Sequence, residues 1–218
     1  MKLIDLINIT RLEMDDADPN HPLITDAEHI EFANDAELEA CRRGRLILDS
    51  TTTAICQIAV VANTASYSLD PRVQSIRRAK LTGLLPLKRR NLQDMDSQYP
   101  GWDDAATGMP IVFIPDDTGQ IRLWPTPSAN TTLSMIVVRS PLAEMNDETD
   151  SPEIAPRFHR SLRYWMMYRA YSKQDSQAND PKKALESLAM FEQEFGQKSS
   201  AINETWIARE QMEFDGTF

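Results

Sequence analysis

Three histidines and two cysteines are the residues best suited to metal or nucleophilic chemistry, and their spacing supports neither. His21, His29 and His159 form no HxxxH or HExxH pair and no Cys/His cluster, so a transition-metal site would need ligands gathered from distant parts of the chain. Asp15, Asp16 and Asp18, or Asp116 with Asp117, could touch a divalent cation. Neither set has the central glycine and closing glutamate of a calcium loop, and both fit solvated turns. No GxSxG elbow presents a serine, Cys41 has no adjacent base, and seven scattered glycines assemble no phosphate-binding loop. These residues predict a protein that is not an enzyme and requires no cofactor or metal.

Charge segregation is the stronger signal. From Leu12 to Glu39 the chain carries ten acids (Glu13, Asp15, Asp16, Asp18, Asp26, Glu28, Glu31, Asp35, Glu37 and Glu39) and no Lys or Arg. Arg72, Arg77, Arg78, Lys80, Lys88, Arg89 and Arg90 then fall in a stretch without a single acid. A second basic stretch, Arg157, Arg160, Arg163, Arg169 and Lys173, is interleaved with Tyr164, Trp165 and Tyr168. The pattern fits a nucleic-acid face, a contact between subunits of complementary charge, or solvated faces paired inside the fold. Acidic and basic surfaces on one chain also suit head-to-tail association into a ring. With 23 Lys+Arg against 33 Asp+Glu, a net charge of -10 and a pI near 4.8, the surface as a whole is unsuited to nucleic acid or anionic lipid.

The elements that would carry these charges can be read from hydrophobic period. At 218 residues the chain makes one elaborate domain or two small ones, taking about 150 residues per domain. Leu3, Ile4, Leu6, Ile7, Leu12 and Met14 mark a first helix that stops in the acidic turn Asp15 to Asn20. Thr25-Asp26-Ala27-Glu28 is a capping box, and Ile30, Ala33, Ala36, Leu38, Ala40, Cys41 and Ile47 carry a second helix to about Leu48. The period then falls to two: strands are predicted over Ala54 to Val61, around Tyr67, and over Val73 to Leu81, Met109 to Pro115, Gln120 to Trp124 and Thr131 to Arg139, with a short helix from Asn91 to Gln98. Acidic, proline-bearing Glu144 to Pro156 reads as a linker. Helical period returns at Phe158, Leu162, Trp165, Met166 and Ala170, and again, after the Asp180-Pro181 start, at Ala184, Leu185, Leu188, Phe191 and Phe195, ending near Gly196.

The expected fold is therefore α+β: a helical bundle from residues 1–50 and 144–198, an inserted mainly antiparallel β domain at 51–143, and an extended C-terminal arm at 199–218. Cys41 and Cys56, with no CxxC spacing, are expected as buried free thiols. Apolar runs fall well short of the roughly 20 residues that span a bilayer, and Asp5 interrupts what a secretory leader would need, so neither membrane insertion nor export is expected. Ser199 to Phe218 has no clean period, yet it spaces Ile202, Trp206, Ile207, Met212, Phe214 and Phe218 through polar sequence. It fits either an extra helix on its own domain or an arm whose large anchors fill pockets on another subunit or partner.

In order, these features resemble one family, the head-to-tail adaptor (connector) proteins of tailed bacteriophages, particularly short-tailed ones. The residues that carry the resemblance are Leu3-Ile4-Asp5-Leu6-Ile7 with its acidic turn, Ile30-Glu31-Phe32-Ala33-Asn34-Asp35-Ala36 leading to Arg42-Arg43, and Tyr67-Ser68-Leu69-Asp70. Further along come Gly108-Met109-Pro110, Leu123-Trp124-Pro125-Thr126-Pro127, Arg139-Ser140-Pro141-Leu142, and Ile154-Ala155-Pro156-Arg157-Phe158-His159 before Ala170-Tyr171 and Asp175. The resemblance implies a dodecameric ring of this chain docked on a portal protein ring, with a tail nozzle or tail tube protein below. Duplex DNA would pass through the lumen without sequence-specific binding, and the protein would reside in the virion after synthesis in the host cytoplasm. Under it, Trp206, Ile207, Met212, Phe214 and Phe218 are candidates for clasping the portal. Arg72, Arg77, Arg78, Lys88, Arg89, Arg90, Arg157, Arg160 and Arg163 are candidates for subunit or DNA contact. A DNA-binding accessory protein of phage assembly is the alternative that the basic stretches leave open.

Overall fold

The structure, a computed structural model, describes residues 1–16, 18, 21–104, 106–115, 119–174 and 177–198. Its described residues form two compact units: Met1–Ile47 with Ser140–Lys198, and Leu48–Arg139. The first is helical, the second is built on sheets, and the fold is α+β.

The helical unit begins with α1 (Leu3–Met14) and α2 (Asp26–Gly44) and is completed by α5 (Pro156–His159), a 3-10 turn at Arg160–Leu162, α6 (Arg163–Tyr171) and α7 (Pro181–Phe195). Asp5 reaches back to accept from the Lys2 N–H at 2.9 Å, opening α1. Thr25 and Glu28 close the capping box of α2, each side chain accepting from the other's backbone N–H at 3.3 and 3.0 Å. Asp180 caps α7 by accepting from Lys182 and Lys183, both at 3.1 Å. The core gathers Leu3, Leu6, Ala33, Ala36, Leu162, Met166 and Phe191. Trp165 and Phe195 stack against Phe191 with ring centres 5.1 and 4.6 Å apart. Leu12, Leu38 and Leu185, counted above into apolar stripes, are exposed. At about 100° per residue Leu12 lies some 140° around the helix from Ile7, off the buried stripe.

Two boundaries differ from the sequence expectation. The helix α2 ends at Gly44 because Arg45 turns left-handed (φ 51°), and Ile47–Asp49 forms a strand, β1, where the periodic count ran the helix to Leu48. The segment read as a linker is a fixed strap. The Asn34 side chain brackets Met145, donating to its carbonyl at 2.9 Å and accepting from its N–H at 2.8 Å. One turn further along α2, Glu37 Oε1 accepts the N–H groups of Glu153 and Ile154. The strap's carbonyls in turn meet the free N-terminal N–H groups of α1, Asp150 O with Leu3 and Glu148 O with Ile4. Met145 and Ile154 at its two ends enter the core, but between them it is held through its backbone, so no side-chain period announces it. Glu37→Ala should cost about 2–3 kcal/mol by leaving the buried Ile154 N–H and the part-buried Glu153 N–H without an acceptor. Glu37→Gln, whose amide oxygen can still accept both, should cost under about 1 kcal/mol. Urea denaturation of the two variants checks the difference, and equal losses would contradict it.

The β unit contains α3 (Thr53–Cys56), β2 (Gln57–Val60), β3 (Ser66–Ser68), β4 (Val73–Leu81), β5 (Lys88–Arg89), α4 (Leu92–Gln98), β6 (Val112–Pro115), β7 (Gln120–Trp124) and β8 (Thr131–Arg139). One sheet runs β1-β8-β2 with β4 also paired to β8, and the other runs β3-β7-β6-β5. Pairing is antiparallel for β2, β4 and β8 and for β3, β6 and β7; β5 and β6 are parallel. Ile76, Ala79, Leu81, Leu133, Met135 and Val137 make a core with Phe113, Ile121 and Leu123. Met95, Trp102, Val112 and Ile114 form a smaller one. The alternation from Ala54 suggested one strand to Val61, but its first residues are the short helix α3, and pairing with β8 begins at Gln57. Thr52 O accepts from both Ile55 and Cys56, a turn that alternating small residues cannot reveal. Both cysteines are buried and neither is in a disulfide among the described residues.

Candidate functional site

The acidic run and the second basic stretch meet inside the helical unit. Arg11 pairs with Asp26 at 2.7 Å, and Arg163 with Glu13 at 2.8 Å. Arg169 pairs with Asp35 and, at 3.7 Å, with Glu31, while Lys173 holds Glu28. Arg42 and Arg43 both pair with Glu39, at 3.4 and 2.8 Å. Asp16 accepts from the backbone of Leu23 and Ile24, and Glu37 holds the strap. The acids that looked like a docking face are thus largely fastened to this unit's own cations and backbone. Lys173 and the Thr25 N–H lower the Glu28 carboxyl to about 2, which keeps that pair intact well into acid.

Arg43 is the most deeply set of these cations. Its guanidinium lies 5.4 Å from the Trp165 ring centre and 5.3 Å from that of Phe191, reaches Glu192 at 3.4 Å, and donates to the Gly196 carbonyl at 3.1 Å. It therefore ties α2 to the end of α7, three residues before Ser199. Arg163 lies over Tyr164 and donates to the Arg160 carbonyl as well as to Glu13. Arg157 and Arg160 are exposed, with Arg157 over the Phe158 ring.

His29 is fully buried on α2, and neither ring nitrogen has a hydrogen-bond partner. Desolvation, with the Arg11 charge adding to it against Asp16, Asp26 and Glu28, lowers it from 6.5 to about 4. The unfolded chain then binds a proton that the folded one refuses between those values. Stability from this group is complete above pH 6.5 and falls as pH drops toward 4, by about 3 kcal/mol in all. His29→Leu should flatten the stability curve between pH 6.5 and 4, read by urea denaturation at stepped pH; an unchanged slope would contradict the assignment.

In the β unit the first basic stretch divides. Arg72 forks onto Asp70, its Nε and Nη2 both at 2.8 Å, and the carboxyl is thereby lowered to about 2. Arg89 and Arg90 are half-buried on and just after β5. Arg77, Arg78, Lys80 and Lys88 are exposed, and their side chains have no ion pair or hydrogen-bond partner among the described residues. The first three lie on β4, where a register shift between Ile76 and Arg78 leaves Arg77 and Arg78 both outward. Ala79 O accepts from Leu87 and Ile111 O from Lys88, so one hydrogen-bonded ladder joins the end of β4 to β5 and β6.

Asp49 and Arg139 were not singled out for chemistry in the sequence, and they form the most buried ion pair of the β unit, 2.6 Å apart. They stand at the two ends of Leu48–Arg139, so the pair closes the base of the insertion. Burial favours the neutral acid, but hydrogen bonds from Thr52, Thr51 and Arg139 outweigh it and hold Asp49 far below the usual carboxylate range. Proximity across 90 residues was the missing signal.

Among the described residues no group of three His, Cys, Asp or Glu could hold a metal ion, and no helix is long and apolar enough to cross a membrane. Trp206, Ile207, Met212, Phe214 and Phe218 lie outside the described residues. The sequence model of a family described as SU10 adaptor protein matches residues 1–212. No curated protein matches the chain significantly.

Proposed function

The chain belongs to the SU10 adaptor protein family, and from that premise we propose that it is a structural component of the bacteriophage head-tail junction, seated between the portal ring and the tail. The family match over residues 1–212 carries this reading. Several copies, twelve by the resemblance, would form a ring through which the genome passes. The internal pairing of the acidic run with Arg11, Arg163, Arg169 and Lys173 supports a rigid body, because these contacts stitch α1, α2 and α6 into one block. Closure of the β insertion by Asp49 and Arg139 gives that unit a fixed base. Both are properties of a scaffold that must transmit position between two rings. The role is mechanical, and the protein is a virion component.

Phage lacking this chain should accumulate DNA-packaged heads that carry no tail and lose their DNA on purification, scored by electron microscopy and by nuclease sensitivity of the genome. Tailed, infectious particles formed without it would overturn the proposal. The DNA-binding alternative rests on the exposed side chains of Arg77, Arg78, Lys80 and Lys88. It requires affinity for duplex DNA that falls steeply with salt, because neutralised phosphates release counterions.

A further inference from the structure

Two groups of opposite charge belong to parts of the chain outside the helical unit. One is the face formed by Arg77, Arg78, Lys80 and Lys88. The other is in the sequence beyond Lys198. Residues 199–218 contain Glu204, Glu210, Glu213 and Asp215 against Arg209 alone, a net charge of -3, set among Trp206, Phe214 and Phe218. The β unit holds nine bases and eight acids, whereas Met1–Ile47 with Ser140–Lys198 holds 13 and 21, so the β unit is the unit toward which an acidic segment is drawn.

The cationic face is also apolar at one end. Lys80 bridges to Pro86, Lys88 pairs beside Val112, and around this ladder Leu85 is 85 %, Met109 62 % and Ile111 54 % exposed. A phosphate backbone uses cations and has no use for bare Leu, Met and Ile side chains. An acidic segment with large apolar anchors uses both. We propose that the β4–β5–β6 edge is the docking surface for residues 199–218 of a neighbouring copy, with Glu204, Glu210, Glu213 and Asp215 meeting Arg77, Arg78, Lys80 and Lys88, and the aromatic anchors covering Leu85, Met109 and Ile111.

The choice of a neighbouring copy rests on the ring assembly proposed above. Most acids of the 12–39 run are already engaged within the helical unit, so this contact supplies a charge complementarity that can link one copy to the next. The arm is then a clasp between subunits, in place of the portal clasp that the resemblance implies.

The test uses the full-length chain with a photo-crosslinking benzoylphenylalanine at Gln211, beside Met212 and Phe214, in an equal mixture of unlabelled and 15N-labelled protein. Irradiation is carried out on the concentrated protein and on its assembly with portal rings, and crosslinks are mapped by mass spectrometry. Mixed-isotope crosslinks to residues 77–88 or 109–111 are expected, with yield reduced at least tenfold by Arg78→Glu with Lys88→Glu at an unchanged melting temperature. Crosslinks confined to single copies, crosslinks only to portal, none at all, or a yield indifferent to the charge reversals would each overturn the proposal. So would crosslinks that map elsewhere while the charge reversals abolish a salt-dependent shift of duplex DNA, which would give the face to nucleic acid. Portal binding is scored separately by co-sedimentation, so failure of the adaptor role and failure of the arm contact give different results.

Discussion

Asp49→Ala should destabilise the β unit by about 3–5 kcal/mol, the range found when one partner of a buried ion pair is removed and the other is left without its counter-charge. Asp49 and Arg139 are both buried, and the carboxylate also accepts from the Thr51 and Thr52 N–H groups at 2.8 and 3.1 Å and from the Thr51 hydroxyl at 3.2 Å, so alanine removes the acceptor of all of these donors at once. The loss should appear in the sheets first, because the pair closes the base of Leu48–Arg139 and holds β1 beside β8. Amide hydrogen exchange of Asp49→Ala should therefore show faster exchange in β2, β4 and β8 while α2 and α6 keep their protection. Asp49→Asn retains the acceptor oxygen and should lose less. A melting temperature for Asp49→Ala within about 1 °C of the parent would contradict this account of the insertion.

Arg43→Ala should cost about 3 kcal/mol and loosen the end of α7. Its guanidinium is nearly inaccessible, lies against both the Trp165 and Phe191 rings, pairs with Glu39 and Glu192, and satisfies the Gly196 carbonyl that ends the helix. Lysine keeps the charge but has no planar fork, so it cannot hold two carboxylates and a carbonyl while stacking on two rings, and Arg43→Lys should recover less than half of the loss. Chemical denaturation gives the energies, and hydrogen exchange at Phe191 to Gly196 gives the location. Stability of Arg43→Ala within about 0.5 kcal/mol of the parent would contradict it.

Much of the fold was legible because its elements are amphipathic and well capped. Thr25 with Glu28 and Asp180 with Pro181 start helices where they were expected, and β7 and β8 have the expected bounds. The strap at 145–154 was not legible, since Asn34 and Glu37 engage its backbone and nothing in its side-chain order records that. Neither was the end of α2, set by a left-handed Arg45 that a periodic count runs past. Charge showed the sharpest limit. The acidic run and the Arg157–Lys173 stretch left open facing surfaces of different copies or faces paired inside the fold, and Arg163, Arg169 and Lys173 pair with acids of that run inside one unit. Composition gives the sign of a segment, but only tertiary contact says which charges are already satisfied. Arg77, Arg78, Lys80 and Lys88 in the β unit, like Arg157 and Arg160 in the helical unit, are basic side chains that the fold leaves exposed and without an ion pair among the described residues.

The central claim, a structural adaptor that builds onto the portal, is tested most directly by weighing the complex. Purified full-length chain is mixed with portal rings from the same phage, and the mass of single particles is measured with and without it. The account predicts that each portal ring gains about one copy of the 24.8 kDa chain per portal subunit, whatever the state of the chain alone. Portal rings of unchanged mass, with the chain instead binding duplex DNA in a salt-dependent manner, would contradict it.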